Sequence, residues 1–197
     1  MKEIKNMAHG ELRIVGIDPA LRNFGYAIAT VNIETGKFEV TDLELVKTED
    51  DAGKKVRRNS DDLRRCRTHV MALKRIVDGA AMVAAEIPVG SQSARAMASY
   101  GACIGILAAC DIPMIEVTPT ENKVCATGKK TASKDEMIEW AHGLFPKAPW
   151  LTRKQSRKLV LKNENEHLAD AVGAINAALQ TEQWKQCLAM YRSYMNK

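Results

Sequence analysis

Two apolar runs in this chain each end in an acid with a proline close behind. The first is Leu12-Arg13-Ile14-Val15-Gly16-Ile17-Asp18-Pro19, and the second is Met82-Val83-Ala84-Ala85-Glu86-Ile87-Pro88. A run of β-branched and aliphatic residues reads as a buried strand. Proline has no N–H to give to a ladder and closes such a strand. Each device therefore holds a carboxylate rigidly at the mouth of a strand, partly out of water. A lone acid in such a place can equally be a turn aspartate bonded to its own backbone. The other acids in the chain decide between the two.

The first run is followed by strand-like segments at Gly25–Ile33 and Lys37–Leu45. Glu34-Thr35-Gly36 is the hairpin turn between them, giving an antiparallel meander of three strands. Residues 47–56 are charged and aperiodic and read as a loop. Arg57–Asp78 is predicted helical, with Leu63, Val70, Leu73 and Val77 as its apolar stripe. Ser91–Cys110 is an Ala-rich helix in which Gly101 and Gly105 would permit close packing on a neighbour. Pro113–Val117 is a fifth strand, and a short helix begins at Thr120. Ser133 and Glu136 form a capping box for a helix reaching Leu144. The stretch containing Pro146, Pro149 and several basic residues reads as a loop. Asn163–Leu179 is an amphipathic helix, residues 181–197 form a helical tail, and residues 1–11 are polar and loose.

At 197 residues the chain suits one domain. The predicted fold is α/β: a mixed five-stranded sheet, three antiparallel then two parallel strands, flanked by helices on both faces, with right-handed crossovers. If the first strand is central and the fourth lies beside it in parallel, Asp18 and Glu86 sit at the same end, about 5 Å apart. Two acids that close repel unless a cation lies between them. The helix near the end of the chain offers His167 and Asp170, three residues apart on one face, with Leu168, Val172 and Ile175 on another. Carboxylates suit Mg²⁺; an imidazole suits Mn²⁺ as well, or serves as a general base. Glu164 reads as an ordinary first-turn acid, and Glu166 as an outer partner or reserve ligand.

The net charge is +5, and its distribution says more than its size. Basic residues cluster at Lys54-Lys55-Val56-Arg57-Arg58, Arg64-Arg65-Cys66-Arg67, Lys129-Lys130 and Arg153-Lys154-Gln155-Ser156-Arg157-Lys158. Any one cluster alone is a solvated face. Several together suggest a polyanion touched at more than one point. The five cysteines are scattered without a Cys-x-x-Cys pair, which points to neither a zinc site nor a disulfide framework. No apolar run is long enough to span a bilayer and no signal peptide is evident, so a cytoplasmic location is expected.

The motifs form an ordered set. Gly16-Ile17-Asp18-Pro19 precedes Phe24-Gly25-Tyr26, and an apolar strand then ends in Glu86. Val117-Thr118-Pro119-Thr120-x-x-Lys123 comes next, then Thr127-Gly128-x-x-x-Ala132-Ser133-Lys134, then His167-x-x-Asp170-Ala171. The set resembles the RuvC-type Holliday junction resolvases, a branch of the RNase H-like nucleases, over about Leu12 to Leu179. The resemblance implies that Asp18, Glu86 and Asp170 are the metal-binding acids. His167 then fills a fourth position that is usually Asp and is His in some members. It also implies two Mg²⁺ or Mn²⁺ ions per site, with Lys123 and Lys134 facing the DNA backbone. A homodimer would bind a four-way junction and make paired nicks leaving 5′-phosphate and 3′-hydroxyl ends. Lys129, Lys130, Arg57, Arg58, Arg153 and Lys154 are candidate contacts to the junction arms.

Three departures stand out. Ile87-Pro88-Val89-Gly90-Ser91 lacks the aromatic that often follows the second acid. Lys129-Lys130 replaces a second glycine after Thr-Gly. His167 replaces an acid. Competing readings are a related nuclease of flaps, forks or RNA–DNA hybrids, and a non-catalytic junction-binding protein. An actin-like ATPase or sugar kinase is a third, but Pro19–Phe24 makes a poor phosphate loop.

Overall fold

The computed structural model describes residues 10–51, 56–156 and 158–195. Residues 1–9, most of the segment expected to be loose, lie outside the described residues, as do Lys54, Lys55 and Arg157 of the basic clusters. Strands β1 (Glu11–Asp18), β2 (Asn23–Asn32) and β3 (Phe38–Lys47) form the predicted meander. Its turn is closed by the Gly36 N–H donating to the Asn32 carbonyl at 2.8 Å. Helix α1 (Arg58–Ile76) crosses to β4 (Met82–Glu86), and α2 (Ala94–Leu107) crosses to β5 (Met114–Val117). The sheet order is β3-β2-β1-β4-β5, with β4 and β5 parallel to β1. Then come α3 (Pro119–Thr127), α4 (Lys134–Leu144), a separate hairpin of β6 (Thr152–Gln155) and β7 (Lys158–Leu161), α5 (Asn165–Ala178) and α6 (Glu182–Met195).

The pleat of β1 sorts its side chains. Leu12 and Ile14 enter one core with Leu168, Val172 and Ile175 of α5, Met137 and Ala141 of α4, and Trp184 and Leu188 of α6. Val15 and Ile17 enter a second core with Leu73 and Ile76 of α1 and Cys103 and Ile106 of α2. Both faces of the central strand are therefore dry, which is why its sequence is apolar without alternation. Two capping boxes start the helices that carry Lys123 and Lys134. Thr118 with Glu121 caps α3, with Pro119 at its first position, and Ser133 with Glu136 caps α4.

Helix α5 lies directly on the sheet. A Cβ added at Gly16 would come within 2.1 Å of the Ala171 carbonyl oxygen, and one at Gly25 within 2.2 Å of the His167 carbonyl oxygen. No side chain can separate helix and strands at these two points. Gly173, two residues after Ala171 on α5, faces Asn122 instead; a Cβ there would meet Asn122 Oδ1 at 1.9 Å.

Three expectations are corrected. The stretch around Arg153–Lys158, read as a loop, is the β6–β7 hairpin, because its alternation is too short and too polar to register as strand. On α1, Leu63 is exposed, and the inward face is Arg65, His69, Ala72, Leu73 and Ile76. That face is polar in its first half because Arg65 Nε donates to Thr48 Oγ1 at 3.0 Å and His69 Nε2 donates to the Leu21 carbonyl at 2.9 Å. Of the expected stripe, Leu73 and Val77 are buried and Val70 packs against the same core, so hydrophobic spacing finds the second half of the inward face and misses the polar first half. On α2, Gly101 and Gly105 face open space, while Cys103, Ile106 and Leu107 face the core.

The seat of α5 is testable. Gly25→Ala must push α5 off β2, and we expect a loss of about 1–3 kcal/mol or more, read as a fall in Tm. A variant with wild-type Tm would show that the helix does not rest on this glycine.

Candidate active site

Ile17 of β1 sits opposite Ala85 of β4 in parallel register. The next residues, Asp18 and Glu86, therefore leave adjacent strands at the same end. The glycine seats bring the first turns of α5 across that end, placing His167 and Asp170 over the two acids. His167 Nδ1 and Asp18 Oδ2 are 2.6 Å apart. With Asp18 ionised, Nδ1 carries the proton and donates, and Nε2 faces Asn23 Nδ2 at 3.4 Å. Glu86 Oε2 accepts from Asn122 Nδ2 at 2.7 Å, and the same amide donates to the Asp170 backbone carbonyl at 2.9 Å. The four side chains expected at the site are thus gathered from β1, β4 and α5.

The electrostatics of the cluster are those of crowded, desolvated anions. Burial, reinforced by the charge of Asp18, raises the Glu86 carboxyl to about 7, although the Asn122 bond and Lys123 pull the other way. Burial, then Asp18 and Glu86, raises Asp170 to about 8, with Lys123 again opposing. Among the described residues, no three His, Cys, Asp or Glu side chains stand in one ready coordination sphere. Asp18 is turned to His167 and Glu86 to Asn122. The donor set itself fits a hard divalent cation: it is rich in carboxylate oxygen, and the burial and mutual repulsion that raise Glu86 and Asp170 are what such an ion offsets.

The rim is cationic but partly engaged. Lys134 Nζ lies 2.6 Å from Glu166 Oε2, and Glu166 Oε1 lies 3.4 Å from His167 Nε2. Glu166 therefore links a lysine of the rim to the imidazole. Lys123, one residue after Asn122, acts on Glu86 and Asp170 through its charge. Lys129 pairs with Glu136 at 2.7 Å, and Lys130 beside it is exposed. Glu164, at the cap of α5, pairs with Lys47 at 2.8 Å. Arg57 and Arg58 stand exposed at the start of α1, and Arg153 and Lys154 are exposed on β6, all outside the carboxylate cluster. In the loop after Glu86, Val89 is 74% exposed.

Asn122 is the residue that the sequence reading passed over. It is wholly buried, and its Oδ1 has no partner among the described residues. Asparagine is disfavoured inside helices because its amide competes for backbone groups. An Asn within α3, directly before a lysine expected to face DNA, was the available signal.

No family model matches the chain. Two curated relatives do, each a crossover junction endodeoxyribonuclease RuvC. That of Synechococcus sp. (strain CC9605) is 30% identical over 134 residues, covering 65% of this chain and 80% of the relative. That of Prochlorococcus marinus (strain MIT 9303) is 26% identical over the same shares. Among solved structures, T. thermophilus RuvC in complex with Holliday junction substrate superposes with a TM-score of 0.62 at 20% identity. The match covers 89% of this chain and 96% of that one. Fowlpox virus resolvase with its junction DNA gives a TM-score of 0.51 at 14% identity, covering 86% of this chain and all of that one. These two share the RNase H-like fold with this chain. On the identity and coverage of the Synechococcus relative, the chain belongs to the RuvC family of crossover junction endodeoxyribonucleases.

Proposed function

We propose that this protein resolves four-way DNA junctions, cutting phosphodiester bonds with divalent metal to leave 5′-phosphate and 3′-hydroxyl ends. The observation that carries this reading is the convergence of Asp18, Glu86, His167 and Asp170 at one end of the sheet in a member of this family. The described fold, from β1 to α6, is taken as one nuclease domain. Asp18, Glu86, Asp170 and His167 would hold the ions, Mg²⁺ or Mn²⁺. Ions bound there supply activation of water and charge neutralisation at the departing oxygen.

The chain's own groups do the positioning. Asn122 holds Glu86 against α5 and so fixes the spacing between the acid of β4 and those of the helix. His167 keeps Asp18 oriented through Nδ1. Lys123 offsets the negative charge of the buried acids, and Lys134 can exchange Glu166 for a backbone phosphate near the cut. Lys129, Lys130, Arg57 and Arg58 add sequence-independent contacts to the arms.

Paired nicks require two sites, so the reading includes a homodimer. The outer face of α2 supports it: Met97 and Ile104 are 46% and 47% exposed, with Gly101 and Gly105 beside them. The C-terminal helix is less available for this role, because Trp184 and Leu188 of α6 are spent in the core.

Asp18→Asn should abolish nicking of a four-way junction while junction affinity stays within a few-fold of wild type. A nicking assay that includes a Y-fork and a linear duplex also measures selectivity. Normal cleavage by Asp18→Asn in Mg²⁺ would remove Asp18 from the metal site, and equal cutting of all three substrates would replace the junction reading with a broader nuclease.

Asn122→Leu keeps the bulk but releases Glu86. We expect the Mg²⁺ concentration for half-maximal rate to rise by roughly tenfold, in line with the loss of an outer partner of a metal ligand. An unchanged metal requirement with a lowered Tm would reduce Asn122 to a packing residue.

The two raised carboxyls also set a pH dependence. Unfolded carboxylates titrate near about 4, so from there up to about 7 for Glu86 and about 8 for Asp170 the folded chain holds the extra protons. In chelator, stability must therefore fall as pH rises through that window. Metal competes with the same protons, so the half-saturating Mg²⁺ concentration should fall across it. A metal requirement that is flat with pH would separate these acids from the site.

A further inference from the structure

Among the described residues, the β6–β7 hairpin pairs with no other strand. Its register sets Arg153 opposite Val160, Lys154 opposite Leu159 and Gln155 opposite Lys158. Directly opposed residues share a face, so Arg153 and Lys158 line one face and Lys154 and Leu159 the other. Residues from Thr152 to Ser156, with Lys158 and Leu159, are exposed, and Leu159 is 69% so.

Charge on this ribbon is concentrated and free of acids. Several cations elsewhere are held by carboxylates: Arg64 by Asp61, Arg65 by Asp50, Arg75 by Glu44, Arg95 by Asp62, Lys129 by Glu136, Lys134 by Glu166. Among the described residues, no acid pairs with Arg153, Lys154 or Lys158. Three cations without acids, crowded on a ribbon of two four-residue strands, repel one another. A polyanion would offset that repulsion.

The base of the ribbon is firm. Asn165, the first residue of α5, is wholly buried. Its Nδ2 donates to the Leu151 carbonyl at 2.8 Å, and the Leu151 N–H donates to its Oδ1 at 2.9 Å. The Lys162 N–H closes the hairpin on the same Leu151 carbonyl at 2.9 Å. The ribbon is thereby locked to the catalytic helix two residues before His167. A cleft of about 340 Å³, lined by Arg153, Lys162, Asn163 and Glu164, separates the two.

We propose that the β6–β7 ribbon is a clamp on a duplex arm. It enters a groove of one arm beside the cut and lays Arg153, Lys154 and Lys158 along the flanking phosphodiesters. Its locked base fixes the direction of that arm relative to Asp18 and His167. The proposal rests on the reading of the protein as a junction nuclease. The dimensions agree: four residues at about 3.4 Å each reach roughly 14 Å, and the major groove of B-DNA, about 12 Å wide, admits a two-stranded ribbon. Contacts of this kind position the duplex without reading its sequence.

The test compares the full chain with the Arg153→Ala/Lys154→Ala/Lys158→Ala triple variant and with Arg153→Lys. Junction affinity is measured over a salt series, with a hydroxyl-radical footprint on each arm and the nicking rate at saturating junction. The triple variant should lose tenfold or more in affinity, and its slope of log K against log salt should flatten by about 2.7. One arm's footprint should shorten and the saturated rate should fall with the loss of that arm's fixed direction, and Arg153→Lys should keep the wild-type slope. If the triple variant does not fold, Lys154→Ala/Lys158→Ala carries the same test with a slope change of about 1.8. An unchanged slope and footprint would overturn the clamp, as would protection lost from single-stranded rather than duplex DNA. Wild-type protein that binds but never cuts a junction would defeat the nuclease reading alone, since the footprint still reports on the ribbon.

Discussion

Backbone contact between α5 and the central strands governs the rest of the molecule. Gly16 and Gly25 let the carbonyls of Ala171 and His167 approach the sheet where any side chain would intrude. That contact sets the height of His167 and Asp170 above the ends of β1 and β4. Closely packed interiors transmit small displacements instead of absorbing them. The same seat that completes the core therefore also sets the geometry of the acids. Asn122 adds a second fixing point, filling the space at Gly173 while bonding both Glu86 and the backbone of Asp170.

The cluster this seat creates works against stability. Three carboxylates are drawn out of water into mutual range, and two of them retain protons well above the ordinary carboxylate range. A fold that only needed to be stable would place such groups in solvent. Here the cost is borne at the end of the sheet, where both faces of β1 are already sealed by apolar residues. A divalent cation bound there would return part of that cost and so would couple metal binding to folding stability.

Paired and unpaired cations divide the surface by task. Around α1, Arg65 reaches Thr48 and Asp50, while Asp62 holds Arg95 of α2. These bonds tie the end of β3 and the two helices of one face together. At the rim of the carboxylate cluster, Lys134 is held by Glu166 but remains largely exposed. On the β6–β7 ribbon Arg153, Lys154 and Lys158 are left without acids among the described residues.

Local sequence was sufficient for the parts of this protein that depend on local physics. An apolar run closed by an acid and a proline announced β1 and β4, and the Ser133 box announced α4. The three-residue step from His167 to Asp170 placed both on one helix face. With the order of strands, that was enough to predict the end of the sheet at which the acids meet. What the sequence left open depended on partners far along the chain. Arg65 faces inward because Thr48 accepts its proton, His69 because the Leu21 carbonyl does, and Asn122 because it bridges Glu86 and Asp170. Gly101 and Gly105 look outward although their spacing suggested packing, and the basic stretch after Trp150 forms a ribbon. Periodicity records how much a segment prefers burial, whereas the neighbour that satisfies a buried polar group is chosen only when the chain closes on itself.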